Sequence, residues 1–425
     1  MIIEKNRIQE INQTDIQDHN DDFKRLSDKL TNKGLDVEGI LNKLREFQVA
    51  VPSWALGTGG TRFGRFPGGG EPGTLDGKIE DVGLLHALTT SSGAISLHIP
   101  WAIPKDASHT RELAESFNLK FDAVNSNTFQ DQEGAEQSYK FGSLSHVSKD
   151  VRDQAVAHNK EVIDYGKALG SESLTVWLAD GTTFPGQGNF RHAFENTLAS
   201  LKEIYDHLPE HWKVLVEYKP FEPNFYSMSI PDWGTSHMLA DQLGKKALSL
   251  VDLGHHLPNT NIEQIVAILM MRNKLGGFHF NDSKYADDDL TVGSLKPYQL
   301  FLIFNELVDG MQNTNNPELS WMIDASHNLK DPLEDLLQSV EAILLAYTQA
   351  LIIDRKTLSD AQQGNDVTLG QEVLQDAFRT DVRPILAELR RIQGGALYPL
   401  STYRQLKVRE GLIKERGEKT ISTGL

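Results

Sequence analysis

Eight short apolar runs alternate along this chain with segments of helical periodicity, and that alternation constrains the fold more than any other feature. The runs predict strands at Val51–Leu56, Ala94–Ile99, Lys120–Val124, Ser173–Leu178, Lys213–Tyr218, Ala247–Asp252, Gly276–Phe280 and Leu319–Ile323. Between them, VRDQAVAHNKEVIDYGKAL (151–169), FRHAFENTLASLKEIYDHL (190–208) and IEQIVAILMMRNKL (262–275) repeat apolar residues at three and four positions, as a helix with one buried face requires. Runs such as LSLVDL and VLVEY are apolar on both faces, which suits a parallel sheet covered by helices. Eight strand–helix units over roughly 250–300 residues predict a (β/α)8 TIM barrel, whereas a doubly wound sheet more often stops at about five or six strands.

The expected organisation is an N-terminal helical segment over 1–48, the (β/α)8 barrel over 49–353, and a C-terminal helical tail over 354–425. PLEDLLQSVEAILLAYTQALII (332–353) is the expected closing helix, and the tail either wraps its own barrel or docks on a neighbouring subunit. Acidic residues outnumber basic ones, 59 to 42, so the formal charge of −17 repels an extended phosphate backbone and nucleic acid is not an expected partner. Cysteine is absent, which removes disulfides, thiolate metal sites and cysteine nucleophiles and leaves any metal to His and carboxylate. The first residues carry no apolar stretch followed by a small-residue cleavage site, and no segment approaches a membrane-spanning run, so the expected location is the cytoplasm, with no membrane partner. The glycine-dense stretch Gly57–Gly70 lacks the Gly-Lys-Ser/Thr ending of a phosphate loop and misses the dinucleotide spacing; it reads as a flexible loop after the first strand.

In such a barrel chemistry gathers at the C-terminal ends of the strands. Strand five ends VLVEYKPFEP, so Glu217 and Lys219, two apart, leave the same face before Pro220 stops the strand. Strand six ends SLVDLGHHLP, supplying Asp252 and then His255. Strand seven, GGFHFND, carries His279 and is followed by Asp287, Asp288 and Asp289, and strand eight ends SWMID with Asp324 last.

Singly, each of these residues has an ordinary explanation. Strand-end aspartates are more often helix caps or turn formers, a lone strand histidine is more often hydrogen-bonded core, and a run of loop aspartates is more often a solvated turn. Together they mean something else. Four consecutive strands deliver acids and imidazoles to one rim, where they would raise each other's pKa severely without a cation. Carboxylate and imidazole without thiolate suit Mn²⁺, Co²⁺, Zn²⁺ or Mg²⁺. Glu217, Asp252, His255, His279, Asp287, Asp289 and Asp324 exceed what one ion needs, so two divalent metal ions per subunit are expected, with Glu217 and Asp252 as the candidates for bridging them. Such a pair can bind two adjacent substrate oxygens and polarise the carbonyl between them.

The ordered series Glu217-Tyr-Lys-Pro, Asp252-Leu-Gly-His, His279-Phe-Asn-Asp, Asp287-x-Asp289 and a terminal Asp324 resembles the metal-binding series of the xylose-isomerase-like barrels, and within that group the L-rhamnose isomerases of the broad-specificity bacterial type. The likeness runs from PSWALGTGGTRFGRFPGGGEP through the eighth strand, with His279 standing where xylose isomerase itself has an acid. It implies that Glu217, Asp252, His279 and Asp324 hold a structural metal and that His255, Asp287 and Asp289 hold the catalytic one, with Glu217 or Asp252 shared, Mn²⁺ the expected ion and Asp288 a bystander. The implied catalytic residues are Lys219, His255, Asp289 and Asp324, with Lys219 donating near the carbonyl oxygen; an ion pair with Glu217 or Glu222 is its ordinary alternative.

A sugar site also needs walls. His98, Trp101 and Trp177, at the ends of strands two and four, with Trp54 on strand one, are placed to stack on a sugar's C–H face and to bond its hydroxyls. In the resembled family the loop after strand one reaches the neighbouring subunit's site, which implies a homotetramer with Phe63 as a further wall. The implied reaction is the reversible isomerisation of L-rhamnose to L-rhamnulose, with related aldohexoses such as D-allose as secondary substrates. Two rivals share the superfamily: sugar epimerases, which use paired glutamates around one metal, and a metal-dependent apurinic-site endonuclease. The second ligand set opposes the first rival, and the charge of −17 opposes the second. A barrel that only binds would leave Lys219 and the second set without a role.

Overall fold

In a computed structural model the described residues are 2–57, 68–222, 226–325 and 329–418. Two helices, Lys5–Asn32 and Val37–Glu46, precede the first strand. Eight strands then follow: β1 (Ala50–Pro52), β2 (Ala94–Ile99), β3 (Lys120–Ser126), β4 (Ser173–Val176), β5 (Lys213–Glu217), β6 (Ala247–Asp252), β7 (Leu275–Phe280) and β8 (Ser320–Ile323). All pair in parallel, and the sheet closes where β8 meets β1 at Met322 and Ala50. This is the expected (β/α)8 TIM barrel.

Why the strands carry chemistry on their inner faces is visible in β7. Phe278 and Phe280 stack with centroids 5.3 Å apart, and Phe280 also stacks on Phe304 of the helix Pro297–Asn313, so both rings face the outer helical layer. Side chains alternate along a strand, so His279 between them faces the barrel axis. The outer layer holds most of the apolar core, whereas the interior holds a small separate cluster of Ala123, Leu215, Leu248 and Leu250.

β1 is shorter than the predicted Val51–Leu56. Its three residues pair with Ala94, Ile95 and Ser96, and Ser53–Leu56 then wind into a 3₁₀ turn. Pro52 has no N–H with which to extend the ladder, so the strand stops there. β4 and β5 end at Val176 and Glu217, which leaves Trp177 and Lys219 just beyond the ladder. A short antiparallel pair, Phe221–Glu222 with Tyr226–Ser227, follows β5 and was not legible as strand.

The tail packs on its own chain. Arg390 and Arg404 reach Glu341 and Glu334 of the closing helix Pro332–Leu351, each at 2.6 Å, and Arg416 reaches Asp81 of the helix Leu75–Thr89 at 2.7 Å. Asn12 of the first helix donates to Gly395 O and accepts from Leu397 N, both at 2.9 Å, so the N-terminal segment and the tail are sewn together. Among the described residues no single helix is long and apolar enough to cross a membrane.

Candidate metal centre

Among the described residues, two groups of metal-competent side chains meet at the C-terminal end of the barrel. Glu217, Asp252, His279 and Asp324 bring one ligand atom each within 4.8 Å of one another, and Asp252, His255 and Asp287 do the same, so Asp252 belongs to both groups. Strand register puts them there: Asp252 and His279 are direct partners across β6 and β7, and Asp324 N donates to Phe280 O at 2.9 Å. Asp252 and Asp324 are not helix caps. In those two units the caps are Asn261, which accepts from Gln264 N, and Asp331, which accepts from Leu333 N.

The two histidines present different nitrogens. His279 Nδ1 lies 3.2 Å from Glu217 Oε1, 3.5 Å from Asp324 Oδ2 and 3.8 Å from Asp252 Oδ2. His255 instead sets Nδ1 3.0 Å from Tyr218 O and Nε2 3.2 Å from Asp287 Oδ2. Donation of Nδ1–H to a backbone carbonyl leaves Nε2 as the ligand atom, the arrangement that orients metal-binding histidines. Gly254 lies among these groups because nothing larger fits: a Cβ there would come within 2.7 Å of Asp287 Oδ1.

The electrostatics are those of an acid cluster held together by positive charge. Burial pushes the Asp252 carboxyl up to about 7, with Asp287, Asp324 and Glu217 adding to the shift against His255. Burial alone would lower both histidines, but the surrounding carboxylates outweigh it and raise each to about 9, Asp252 and Asp287 leading at His255 and Glu217 at His279. Burial also pushes Glu217 up, yet His279 and then His255 hold it below its ordinary value. Asp252 Oδ1 accepts from Gly254 N at 2.7 Å and Asn281 Nδ2 at 3.0 Å, while the buried Oδ2 has no hydrogen-bond partner among the described residues. Imidazole and carboxylate donors converging on such an oxygen fit a divalent cation.

The remaining predicted residues fall around this centre. Lys219 Nζ donates to Asp287 Oδ2 at 2.8 Å and also sits 5.3 Å from the centroid of Trp177. Asp289 is buried with a left-handed backbone, φ 49°, and stands outside both ligand groups. Asp288 turns away and accepts from the backbone N–H groups of Lys284, Tyr285 and Ala286, so it shapes the loop.

An aromatic wall runs beside the centre. His98 stacks on Trp101 at 4.2 Å, Phe129 meets Trp101 at 5.9 Å and Trp177 at 4.7 Å, and Trp54 abuts His98 edge-on at 5.4 Å. Burial lowers His98 to about 3, so its imidazole is neutral. Trp54 also donates Nε1–H to Asp324 Oδ1 at 3.0 Å, which ties this wall to a ligand. Phe63 lies outside the described residues. A cavity of about 740 Å³ opens at the opposite, N-terminal end of the barrel around Ala50, Ala94, Lys120 and Leu319, and is remote from this chemistry.

Sequence reasoning missed Phe129 and Asn281. Asn281 had a signal, since it stands two residues after His279 and so shares its face. Phe129 had only its place three residues beyond β3, which no periodicity reaches.

A closed parallel barrel with a mixed histidine–carboxylate cluster at its C-terminal rim is the class that the fold and the site define. This chain belongs to the xylose isomerase-like TIM barrel family, whose model matches residues 93–340. A probable sugar isomerase of Rhizobium meliloti is 51% identical over 396 residues, covering 93% of this chain and 92% of that relative. A second, from Mesorhizobium japonicum, is 50% identical over 404 residues, covering 95% and 94%. Among solved structures, the 3-keto-D-glucoside 4-epimerase of E. coli (TM-score 0.53, 12% identity) covers 70% of this chain and 99% of its own. The D-allulose 3-epimerase of a Methylomonas species (TM-score 0.53, 13% identity) covers 71% and 97%. At that identity the likeness speaks of the fold alone.

Proposed function

We propose that the chain is a metal-dependent aldose–ketose isomerase that interconverts L-rhamnose and L-rhamnulose, with D-allose and related aldohexoses as secondary substrates. The observation that carries this reading is the pair of ligand groups sharing Asp252, set beside an aromatic wall at the mouth of the barrel. The two relatives of about half identical sequence, both named probable sugar isomerases, support the isomerase class. The choice of L-rhamnose rests on the motif resemblance.

Glu217, Asp252, His279 and Asp324 would hold one divalent ion, and His255, Asp287 and Asp289, with Asp252 shared, the other; Mn²⁺ is the expected metal. When bound, such ions hold adjacent sugar oxygens and polarise the carbonyl between them. The protein's own groups do the rest. Trp101, Phe129 and Trp177 stack on the apolar face of the sugar and exclude water, and neutral His98 hydrogen-bonds a hydroxyl without repelling the cations. Lys219 holds or delivers a proton at O1. The hydrogen on C2 passes to C1 with its electron pair and the O2 hydroxyl proton ends on O1, so the aldose becomes a ketose with no external oxidant. Exchange of the C2 hydrogen with solvent deuterium during turnover would instead mark an enediol route.

A homotetramer accompanies this reading. Phe141, Val147, Phe184, Tyr285 and Leu329 are exposed on loops that follow the strands at the site's end of the barrel, as a buried subunit contact would require. Sedimentation velocity tests it, and a monomer would refute it. The test of the function is an assay of metal-stripped protein with L-rhamnose as Mn²⁺, Co²⁺ or Mg²⁺ is restored. Ketose is the expected product; no ketose with any ion overturns the assignment, and a C3 or C4 epimer in its place would return the chain to the epimerase reading.

A further inference from the structure

Asn281 sits immediately after β7, with its side chain almost wholly buried. Its Nδ2 donates to Asp252 Oδ1 at 3.0 Å and to Asp324 O at 3.1 Å, so one amide reaches from the end of β6 to the end of β8 across the strand between them. Turned over, it would set its own oxygen against a carboxylate and a carbonyl, so the chemistry of its partners fixes its orientation. The backbone N–H of Gly254 reaches the same Oδ1 at 2.7 Å from the other side. With Oδ1 clamped by two donors, the Asp252 carboxylate cannot turn toward one ligand group at the expense of the other.

We infer that Asn281 is a positioning residue that holds Asp252 between the two groups and so couples the occupancy of the two metal sites. The inference rests on the two-metal reading above. A carboxylate shared by two ions gains from both only if it is held at one torsion. Released, it swings to chelate a single ion with both oxygens, satisfying one site and stripping the other. Asn281 prevents that rotation through its Nδ2, while its buried Oδ1 has no hydrogen-bond partner among the described residues. Its place in the sequence, two residues after a ligand and on the same face, is what the task demands: near enough to reach the carboxylate of the neighbouring strand, and neutral, so that it adds no charge to an already acidic cluster.

Equilibrium dialysis of the full chain against Mn²⁺, with bound metal counted by mass spectrometry, tests this without reference to turnover. Wild type should take up two ions per subunit over a narrow range of free Mn²⁺. Asn281→Ala should keep its first ion and bind the second roughly 10–100-fold more weakly, the usual cost of removing a group that orients a ligand. Circular dichroism establishes that the variant is folded, and Asn281→Ser replaces it in the measurement if it is not. Two ions bound as in wild type by a folded variant would overturn the inference, and so would a wild type that binds a single ion. Failure of the wild type to convert L-rhamnose would overturn the proposed reaction but leave this result standing, because the metal count does not depend on the sugar.

Discussion

Lys219 Nζ lies 2.8 Å from Asp287 Oδ2, and neither side chain is more than 4% exposed. A buried pair of this kind is costly to break from one side, because the surviving carboxylate keeps its charge and loses its partner. In the proposed reaction the lysine has two duties, neutralising Asp287 and moving a proton at the substrate oxygen. Lys219→Met should lower kcat for L-rhamnose by roughly 10²–10⁴-fold, the range for loss of a general acid–base group. Lys219→Arg should not restore it, since a planar guanidinium cannot occupy the position of a compact ammonium or give up its proton. Steady-state ketose formation measures both; a kcat within tenfold of wild type in the methionine variant would remove Lys219 from the chemistry.

The three consecutive aspartates should separate by function. Asp287 lies in a ligand group and Asp289 is buried beside it, whereas Asp288 accepts three backbone N–H groups of its own loop. Asp288→Asn retains one acceptor oxygen and should cost about 1 kcal/mol of stability with metal content unchanged. Asp287→Asn and Asp289→Asn should each lose bound Mn²⁺ and activity together. Metal content per subunit and unfolding temperature, taken side by side, decide it. Equal loss of metal in all three would show that the loop as a whole, rather than two of its carboxylates, makes the site.

How much of this was legible beforehand depended on periodicity. The barrel was, because apolar runs at strand spacing and helices at their own period leave few alternatives. The convergence of Glu217, Asp252, His255, His279, Asp287 and Asp324 was, because period-two alternation with Phe278 and Phe280 facing outward forces His279 inward, and because acids at four successive strand ends are improbable as caps; Asp289 was read with them and stands outside both groups. What periodicity cannot see is which atoms meet across strands. Glu217 and Glu222 were weighed as ion-pair partners of Lys219 because they are near it in sequence, and the pair with Asp287, 68 positions away, had no such signal. The end of β1 was misplaced because Ser53–Leu56 is as apolar as a strand, and only the missing N–H of Pro52 argued otherwise. Trp54 was read as a wall for the sugar, yet its indole nitrogen is spent on Asp324, a role set by the crossing of β1 and β8.

That indole suggests a separable effect. Trp54→Phe keeps an aromatic ring against Ala50 and Met322, its neighbours in the barrel, but removes the donor to Asp324 Oδ1. Loss of one orienting hydrogen bond to a ligand should weaken metal binding about tenfold or more. The sugar's KM at saturating Mn²⁺ should change far less. Titrating activity with Mn²⁺ at fixed sugar, and then with sugar at saturating Mn²⁺, distinguishes the two. A large rise in KM with unaltered metal affinity would mean that the ring, not its N–H, is what matters.

The tail should stabilise the barrel in a way that acid reverses. Arg409 donates from Nε to Asp331 Oδ2 at 2.8 Å and from Nη1 to Gly69 O at 3.1 Å, so it joins the helix Val408–Arg416 to the loop after β8 and to the end of the glycine-rich stretch. Tyr403 donates to the same carboxylate at 2.7 Å. The pair is partly screened, at 20% and 16% exposure, so Arg409→Met should cost about 2 kcal/mol, less than a fully buried pair would. Burial by itself would raise the Asp331 carboxyl, but Arg409 outweighs it and holds the group below its usual value. A carboxyl whose folded pKa is depressed stabilises the fold above its unfolded value and loses that contribution as pH falls through the folded one. The difference in unfolding temperature between wild type and Arg409→Met should therefore be full at neutral pH and close progressively below about pH 4. Thermal denaturation of both proteins from neutral to acid pH measures it, and a difference that persists unchanged through that window would mean Arg409 stabilises by packing its stem and bonding Gly69 rather than by pairing with Asp331.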